Sequence, residues 1–289
     1  MTVLVTGATG TIGSGVVREL VDRGVPVRAF ARSPEKAAGL GVEVAQGDFA
    51  DPGSLRAALE GVERMFLCCG NVPGQLAYET DAIDAAADAG VRQLVKISTT
   101  GAEVDSPLAF WDWHGRIEQH LAASGVSSTV LRCSTFMSGV LAATDTVRHI
   151  GKLLVPAGDA RISMIDPRDV AAVAATVLTE DGHQGETYAL TGPAAITYAE
   201  IAATLSEVTG RDVEYVDVPV EAARAGMLEA GLPAYLVDFL TTLFPVLREG
   251  AAAETTDTVR TLTGSEPRSF AEWARDHAAA FGAVRAPSL

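Results

Sequence analysis

A glycine-rich turn near the start of the chain constrains the fold more than any other feature. The segment TGATGTIG places Gly7, Gly10 and Gly13 after a strand-like apolar stretch and before a stretch with helical periodicity. In such a strand–turn–helix unit, Gly7 permits the tight turn and Gly10 lets a pyrophosphate approach the backbone closely. Gly13 lets the helix pack against the sheet. The pattern predicts a dinucleotide-binding fold, with a tight turn that binds nothing as the alternative.

Strand-like and helical segments alternate through the first half of the chain. Six apolar, β-branched segments are predicted strands: 3–6, 25–30, 42–46, 64–69, 93–98 and 127–132. Segments with the period of an amphipathic helix separate them, and several end at a glycine. This alternation predicts βαβ units and a parallel sheet covered by helices on both faces, which is a doubly wound α/β Rossmann fold.

The regular alternation ends near residue 150. Helices are predicted at 167–179, 197–209, 219–229, 233–248 and 269–281, with short strands around 161–165, 186–190 and 213–218. These strands are too interrupted to predict an independent sheet. We therefore expect a cofactor-binding Rossmann domain over 1–155 and a smaller, mostly helical substrate-binding lobe over 156–289.

Composition and charge argue against several classes of protein. The 289 residues are 48% hydrophobic and carry a net charge of −15, which disfavours nucleic acid as a partner. No apolar run reaches the roughly 18 residues of a membrane helix, and the N-terminus does not look like a secretory signal. The three cysteines lack metal-binding spacing, so we expect reduced thiols, a cytoplasmic location and no metal site.

The end of the second predicted strand indicates which dinucleotide binds. NAD-binding folds usually carry an acid there for the ribose 2′-hydroxyl, but none occurs between Gly24 and Pro34. Arg32 and Ser33 stand there instead, which predicts NADP(H), with NAD(H) less favoured. A solvated loop charge is the alternative for Arg32. Asp48 is either an acceptor for the adenine amino group or a turn residue. The residues expected to contact the cofactor are Gly7, Thr9, Gly10, Thr11, Ile12, Gly13, Arg32, Ser33, Lys36, Asp48, Phe49, Cys69, Gly70 and Lys96.

Several motifs resemble a known superfamily. TGATGTIG, the basic end of the second strand and GDFAD are similar to the short-chain dehydrogenases/reductases. VKISTTGA (95–102), TVLRCSTFMSGVL (129–141), ISMIDPRDVAAVAATVL (162–178) and GETYALTGPAAITYAEIAATL (185–205) resemble the atypical NmrA-like branch. The resemblance covers most of the chain. It implies either an NADPH-dependent quinone or carbonyl reductase, or a protein that binds the cofactor without turnover and senses its redox state.

The superfamily's catalytic Tyr-x-x-x-Lys pair is missing from this chain. None of the five tyrosines is followed by a lysine four residues later. The helix predicted after the fifth strand carries WDWHGRIEQHL, with His114 and Glu118 on one face. We expect His114 to donate the proton, with Glu118 holding its tautomer, and Ser98 and Thr99 to offer hydroxyl donors at the strand end. An ordinary polar pair is the alternative for His114 and Glu118.

Aromatic and thioether side chains suggest the class of substrate. Trp111, Trp113, Phe136 and Met137 are expected to line a pocket for a flat aromatic molecule, with core packing as the alternative. We therefore expect hydride transfer to a bulky aromatic carbonyl or a quinone, for instance an aromatic polyketide ketone of secondary metabolism. The competing hypothesis is a non-catalytic, NADP-binding redox sensor. Monomer and homodimer both stay open.

Overall fold

A seven-stranded parallel sheet dominates the computed structural model, which describes residues 1–282. The strands of the chain are β1 (Val3–Val5), β2 (Val27–Ala31), β3 (Glu43–Gln46), β4 (Arg64–Leu67), β5 (Gln93–Thr99), β6 (Ser128–Cys133), β7 (Lys152–Leu154), β8 (Thr187–Leu190) and β9 (Glu214–Val216). The large sheet has the order β3-β2-β1-β4-β5-β6-β8, and every neighbouring pair is parallel. The predicted α/β class and doubly wound sheet are confirmed.

Helices of the same unit cover both faces of this sheet, and other helices lie in the rest of the chain. The helices of the described residues are α1 (Thr11–Asp22), α2 (Pro34–Ala37), α3 (Pro52–Ala58), α4 (Gln75–Asp88), α5 (Ala109–Ala123), α6 (Thr144–Ile150), α7 (Pro167–Thr179), α8 (Tyr198–Thr209), α9 (Val220–Glu229), α10 (Ala234–Arg248), α11 (Thr258–Thr263) and α12 (Phe270–His277). Helices α3, α4 and α5 pack side by side on one face, and α1 and α7 pack together on the other. The close approach of α1 to α7 depends on Gly15, where a Cβ would lie 2.8 Å from Cβ of Ala171.

Contacts divide the chain into two units that interleave along the sequence. The first unit comprises Met1–Cys133, Pro167–Leu190 and Thr258–Ser265, and it contains the whole large sheet. The second comprises Ser134–Asp166, Thr191–Asp257 and the described residues from Glu266 onward. We predicted a single cut after residue 155. In the structure α7 and β8 belong with the large sheet, because they are the last crossover helix and edge strand of that sheet.

The second unit has its own small sheet, contrary to the prediction that this part of the chain forms none. β7 and β9 pair in parallel through Leu153 and Tyr215. The strand predicted at 161–165 is reduced to two isolated bridges, between Ile162 and Ile196 and between Phe136 and Ile165. Among the described residues, no helix is long and apolar enough to cross a membrane.

Candidate active site

In the turn between β1 and α1, two glycines lie so close to backbone carbonyl groups that no side chain would fit. Gly7 has φ +60°, and a Cβ there would lie 2.7 Å from the carbonyl oxygen of Cys68. A Cβ on Gly13 would lie 2.2 Å from the carbonyl oxygen of Gly7, so only glycine lets α1 close onto the turn. The amide of Gly10 donates to that same carbonyl at 2.8 Å. The backbone therefore carries no side chains at these glycines, where a diphosphate would approach it.

The N-terminus of α1 has no side-chain cap and no acidic residue in its first turn. Its N-cap is Gly10, which is extended and exposed, and the neighbouring Thr9 and Thr11 are exposed as well. Ile12 is half-buried. The unpaired amides and the helix dipole favour an anion at this end. The cradle and the open helix end fit the diphosphate of a dinucleotide.

The end of β2 carries an exposed cation. Arg32 is exposed, and among the described residues its guanidinium has no hydrogen-bond or ion-pair partner. Ser33 caps α2 by accepting from the amide of Lys36 at 3.4 Å, and its hydroxyl donates to Oε2 of Glu35 at 2.6 Å. Lys36 is exposed. Two cations and one acid therefore lie within five residues between the end of β2 and α2, where this fold places the adenosine ribose.

Two residues expected to contact the cofactor, Asp48 and Phe49, have structural partners. Oδ1 of Asp48 accepts from the amide of Ala50 at 3.0 Å, which is the turn role left open above. The ring of Phe49 lies edge-on to Phe30 and stacks with Tyr78 at centroid distances of 5.8 and 6.4 Å. These contacts fix the loop after β3, while the expected cofactor contacts of Asp48 and Phe49 stay predictions.

A buried polar cluster lies between β5, α4 and α5. Nζ of Lys96 lies 2.8 Å from Oε2 of Glu79, an ion pair without the alignment of a hydrogen bond. It also donates to the carbonyl oxygen of Ile97 at 2.7 Å and lies 3.0 Å from Nδ1 of His114. The side chain of Lys96 is 0% exposed, so its ammonium faces these partners rather than a ligand. This geometry does not favour the predicted contact between Lys96 and the cofactor.

His114 is held neutral inside this cluster. The residue is 6% exposed, and Nε2 of Gln75 lies 3.3 Å from the second ring nitrogen, Nε2. Burial first, and then the charge of Lys96, lower the pKa of His114 well below its usual value. A protonated ring would also point two N–H groups at nitrogen donors. The geometry therefore does not favour the predicted role of His114 as a proton donor.

The hydroxyl of Ser98 and the carboxylate of Glu118 belong to a second polar set. Ser98 is buried and donates to Oε1 of Glu118. Glu118 also pairs with Arg132 of β6 at 2.6 Å. The carboxylate thus contacts Ser98 and Arg132, whereas we expected it to hold His114. Thr99, one residue further along β5, is half-buried and donates to the carbonyl oxygen of Thr100 at 3.2 Å. Of the three residues proposed for catalysis, only Thr99 is partly exposed.

The end of β4 places two thiols beside the buried acid. Cys68 and Cys69 keep part of their surface exposed and Gly70 is exposed. Desolvation, followed by the charge of Glu79, raises the pKa of both thiols to about 12. Burial likewise raises the pKa of Cys133. The three thiols are therefore protonated at neutral pH and are poor nucleophiles. Among the described residues, no group of three or more His, Cys, Asp and Glu side chains could hold a metal ion.

The residues expected to contact the substrate divide between the two units. In the first unit, the half-buried ring of Trp111 lies against Gly101, where a Cβ would be 2.7 Å from the ring. Trp113 is half-buried beside Phe110, with 5.1 Å between ring centroids. All four are residues of α5 or of the loop that precedes it, so these contacts are local.

In the second unit, Phe136 is half-buried and precedes a short 3-10 helix that begins at Met137. Met137 is 1% exposed and borders a cavity of about 190 Å³, together with Met164, Ile196 and Phe270. The lining combines these apolar side chains with a few polar ones, which is the usual composition of a small-molecule pocket: Glu200, Thr204 and Ser269. The substrate contacts of Phe136 and Met137 stay predictions.

Sequence reasoning missed three polar residues that shape these sets. Gln75 and Glu79 lie one turn apart at the start of α4 and are 0% exposed, and Arg132 lies on β6. The only signal was the i, i+4 spacing of Gln75 and Glu79, which many exposed pairs share. Thr6, also missed, joins β1 to β4: its hydroxyl donates to the carbonyl of Phe66 at 3.0 Å and accepts from the amide of Cys68 at 2.9 Å.

Comparison with known proteins adds a family and named activities. The model of the NmrA-like family matches residues 1–274. An NAD(P)H azoreductase of Xenophilus azovorans is 40% identical over 98% of this chain and all of its own length. A (4-alkanoyl-5-oxo-2,5-dihydrofuran-3-yl)methyl phosphate reductase of Streptomyces griseus is 43% identical over 96% of this chain and 99% of its own. The structure of an NADPH-dependent quinone oxidoreductase of Escherichia coli complexed with NADPH has a TM-score of 0.87 at 32% identity, covering 96% and 99% of the two chains.

Proposed function

This chain belongs to the NmrA-like family, and we propose that it is an NADPH-dependent reductase of quinones and bulky aromatic carbonyls. The observation that carries the proposal is the turn after β1: Gly7 and Gly13 keep the backbone free of side chains beside the N-terminus of α1, which has no side-chain cap, and Arg32 is exposed directly after β2. The relatives named for azo, quinone and dihydrofuranone phosphate reduction, and the one solved with NADPH, support the same class of reaction.

The cofactor, when bound, supplies the hydride, and this chain supplies binding, orientation and electrostatics. The turn after β1 binds the diphosphate through backbone amides, and Arg32 binds the 2′-phosphate. The hydroxyl of Thr99, which donates to the carbonyl oxygen of Thr100 in this structure, would rotate when substrate binds and donate to the oxygen on which negative charge develops. The buried set of Lys96, Glu79 and His114 positions the carboxyl end of β5 rather than contacting substrate.

The kind of hydride acceptor is inferred from the lack of a side chain dedicated to donating the proton. The tyrosine–lysine pair of the superfamily is missing from the sequence, and His114 is neutral and buried. A simple aliphatic ketone needs a strong proton donor during hydride transfer, because its alkoxide is very basic. A quinone does not, since its reduced oxygen is a far less basic phenolate that takes a proton from water. An aromatic ketone flanked by a phenol does not either, because the phenol activates the carbonyl through an intramolecular hydrogen bond. We therefore favour conjugated aromatic acceptors. An aromatic polyketide ketone of secondary metabolism and a cytoplasmic location remain parts of the proposal.

The test is oxidation of NADPH, followed by nicotinamide absorbance, with a panel of benzoquinones, naphthoquinones, azo dyes and aromatic polyketide ketones. We expect turnover with quinones and none with aliphatic ketones. Thr99→Val, which keeps the volume and removes the hydroxyl, should lower kcat by about tenfold or more while leaving NADPH affinity unchanged. Tight NADPH binding without turnover on any acceptor would overturn the reductase and favour the redox-sensing alternative.

A further inference from the structure

We propose that Glu35 determines how strongly this chain prefers NADPH to NADH; the inference rests on the proposed cofactor site. Arg32 follows the last residue of β2, Ser33 is the N-cap of α2, and Glu35 lies in the first turn of that helix. Glu35 is exposed and lies in hydrogen-bond contact with Ser33. The turn therefore presents a cation and an acid to the same part of the cofactor.

The hydroxyl of Ser33 is already engaged by Glu35. A serine hydroxyl has one proton to donate. That proton goes to Oε2 of Glu35 at 2.6 Å, and the oxygen accepts from the amide of Lys36 at 3.4 Å. While Ser33 donates to Glu35, its hydroxyl has no proton left to donate to a phosphate. Glu35 thus prevents the hydroxyl of Ser33 from donating a hydrogen bond to the 2′-phosphate.

The negative charge of Glu35 also acts against the 2′-phosphate. The hydrogen bond from Ser33 lowers the pKa of Glu35 below its usual value, so the carboxylate is ionised at neutral pH. A carboxylate repels the 2′-phosphate of NADPH but accepts a hydrogen bond from the 2′-hydroxyl of NADH. Arg32 and Lys36 have the opposite preference, because a guanidinium and an ammonium attract the phosphate.

These opposed groups predict an enzyme that uses both cofactors and prefers NADPH only modestly. Arg32 and Lys36 supply the preference, and Glu35 reduces it. The end of β2 lacks the acid that usually binds the ribose of NADH. NADH recognition is nevertheless not lost completely, because Glu35, three residues beyond Arg32, accepts a hydrogen bond from Ser33. Glu35 is a specificity-determining residue that leaves hydride transfer itself unchanged.

The experiment compares kcat/KM for NADPH and NADH in the full-length protein and in Glu35→Gln, with one quinone as acceptor. The glutamine keeps the hydrogen bond to Ser33 and removes the charge. We expect the NADPH/NADH ratio to rise about fivefold, mostly through KM, and the rise to shrink at high salt because the repulsion is screened. The matched control is Glu272→Gln, which removes an exposed carboxylate bound to the N-cap Ser269 of α12 in the second unit. This control should leave the ratio unchanged.

An unchanged NADPH/NADH ratio in Glu35→Gln, or an equal gain for both cofactors, would overturn the inference. That result would leave NADPH-dependent quinone reduction intact, so the two failures are distinguishable. Binding measured by fluorescence titration with NADP+ and NAD+ gives the same comparison without turnover. There we expect tighter NADP+ binding in Glu35→Gln and no gain for NAD+.

Discussion

Nζ of Lys96 and Oε2 of Glu79 form an ion pair of 2.8 Å in which the two side chains are 0% and 1% exposed. Each of these buried charges is stabilised by the other, because the remaining contacts of the cluster offer neither of them a second opposite charge. Loss of one partner leaves an unpaired buried charge, and that loss costs far more than the pair itself contributes.

Single substitutions in this pair should therefore be more harmful than their combination. We expect Lys96→Met and Glu79→Gln each to lower the free energy of unfolding by about 3–5 kcal/mol, and the double variant to lose clearly less than the sum. Urea unfolding followed by tryptophan fluorescence gives the three values. Strict additivity would contradict the coupling. The single variants should also lower kcat if the pair positions β5.

His114 gives the protein a pH-dependent stability of predictable sign. Its pKa is lowered in the folded state, so the unfolded chain binds a proton that the folded chain does not. The stability is complete above the unfolded pKa of about 6.5 and is lost as pH falls below it, by up to about 1.4 kcal/mol per pH unit. His114→Gln should remove this slope in urea titrations between pH 7 and pH 5. A slope that persists in the variant would assign it to other groups.

The same variant separates positioning from proton donation. A buried, neutral His114 should not impose its own ionisation on kcat. We expect His114→Gln to change kcat without removing a step from the pH profile of the reaction. Loss of an ionisation from the profile, with NADPH affinity unchanged, would restore His114 as the acid that the sequence suggested.

Arg32 should carry the affinity for the 2′-phosphate. We expect Arg32→Ala to weaken NADPH binding by about 10- to 100-fold and NADH binding only slightly, because a charged hydrogen-bonded contact is lost. Isothermal titration with each cofactor measures the change. Arg224→Ala removes an exposed arginine that pairs with Asp238 in the second unit and serves as the control. Equal losses for both cofactors would contradict the assignment.

Gly13 should tolerate no side chain. The added methyl of Gly13→Ala would meet the carbonyl oxygen of Gly7 at 2.2 Å, which must deform the turn. We expect a loss of about 1–3 kcal/mol in stability and abolished NADPH binding. Gly226→Ala, in α9 with no atom within 4 Å, is the control and should be neutral or stabilising. Normal NADPH binding in Gly13→Ala would contradict the cradle.

Much of the fold was predictable from local patterns. The strand–helix alternation and the glycine turn depend on residues close in sequence, so β1 to β6 fall within a few residues of their predicted bounds. Prediction was weakest after residue 150. The strand β8 returns to the large sheet beside β6, and β7 pairs with β9 some 60 residues away, which no local period encodes.

The Rossmann class, the glycine turn after β1 and the cation that follows β2 were predictable without the structure. Each of these depends on a short segment whose glycines or charges act locally. The partners of the buried polar groups, in contrast, depend on the packing of elements distant in sequence. Lys96 on β5, Glu79 on α4 and His114 on α5 meet only because two crossover helices pack side by side on one strand. Burial there removes water as a competing partner, so three-dimensional packing, not spacing along the chain, fixes the charge of His114.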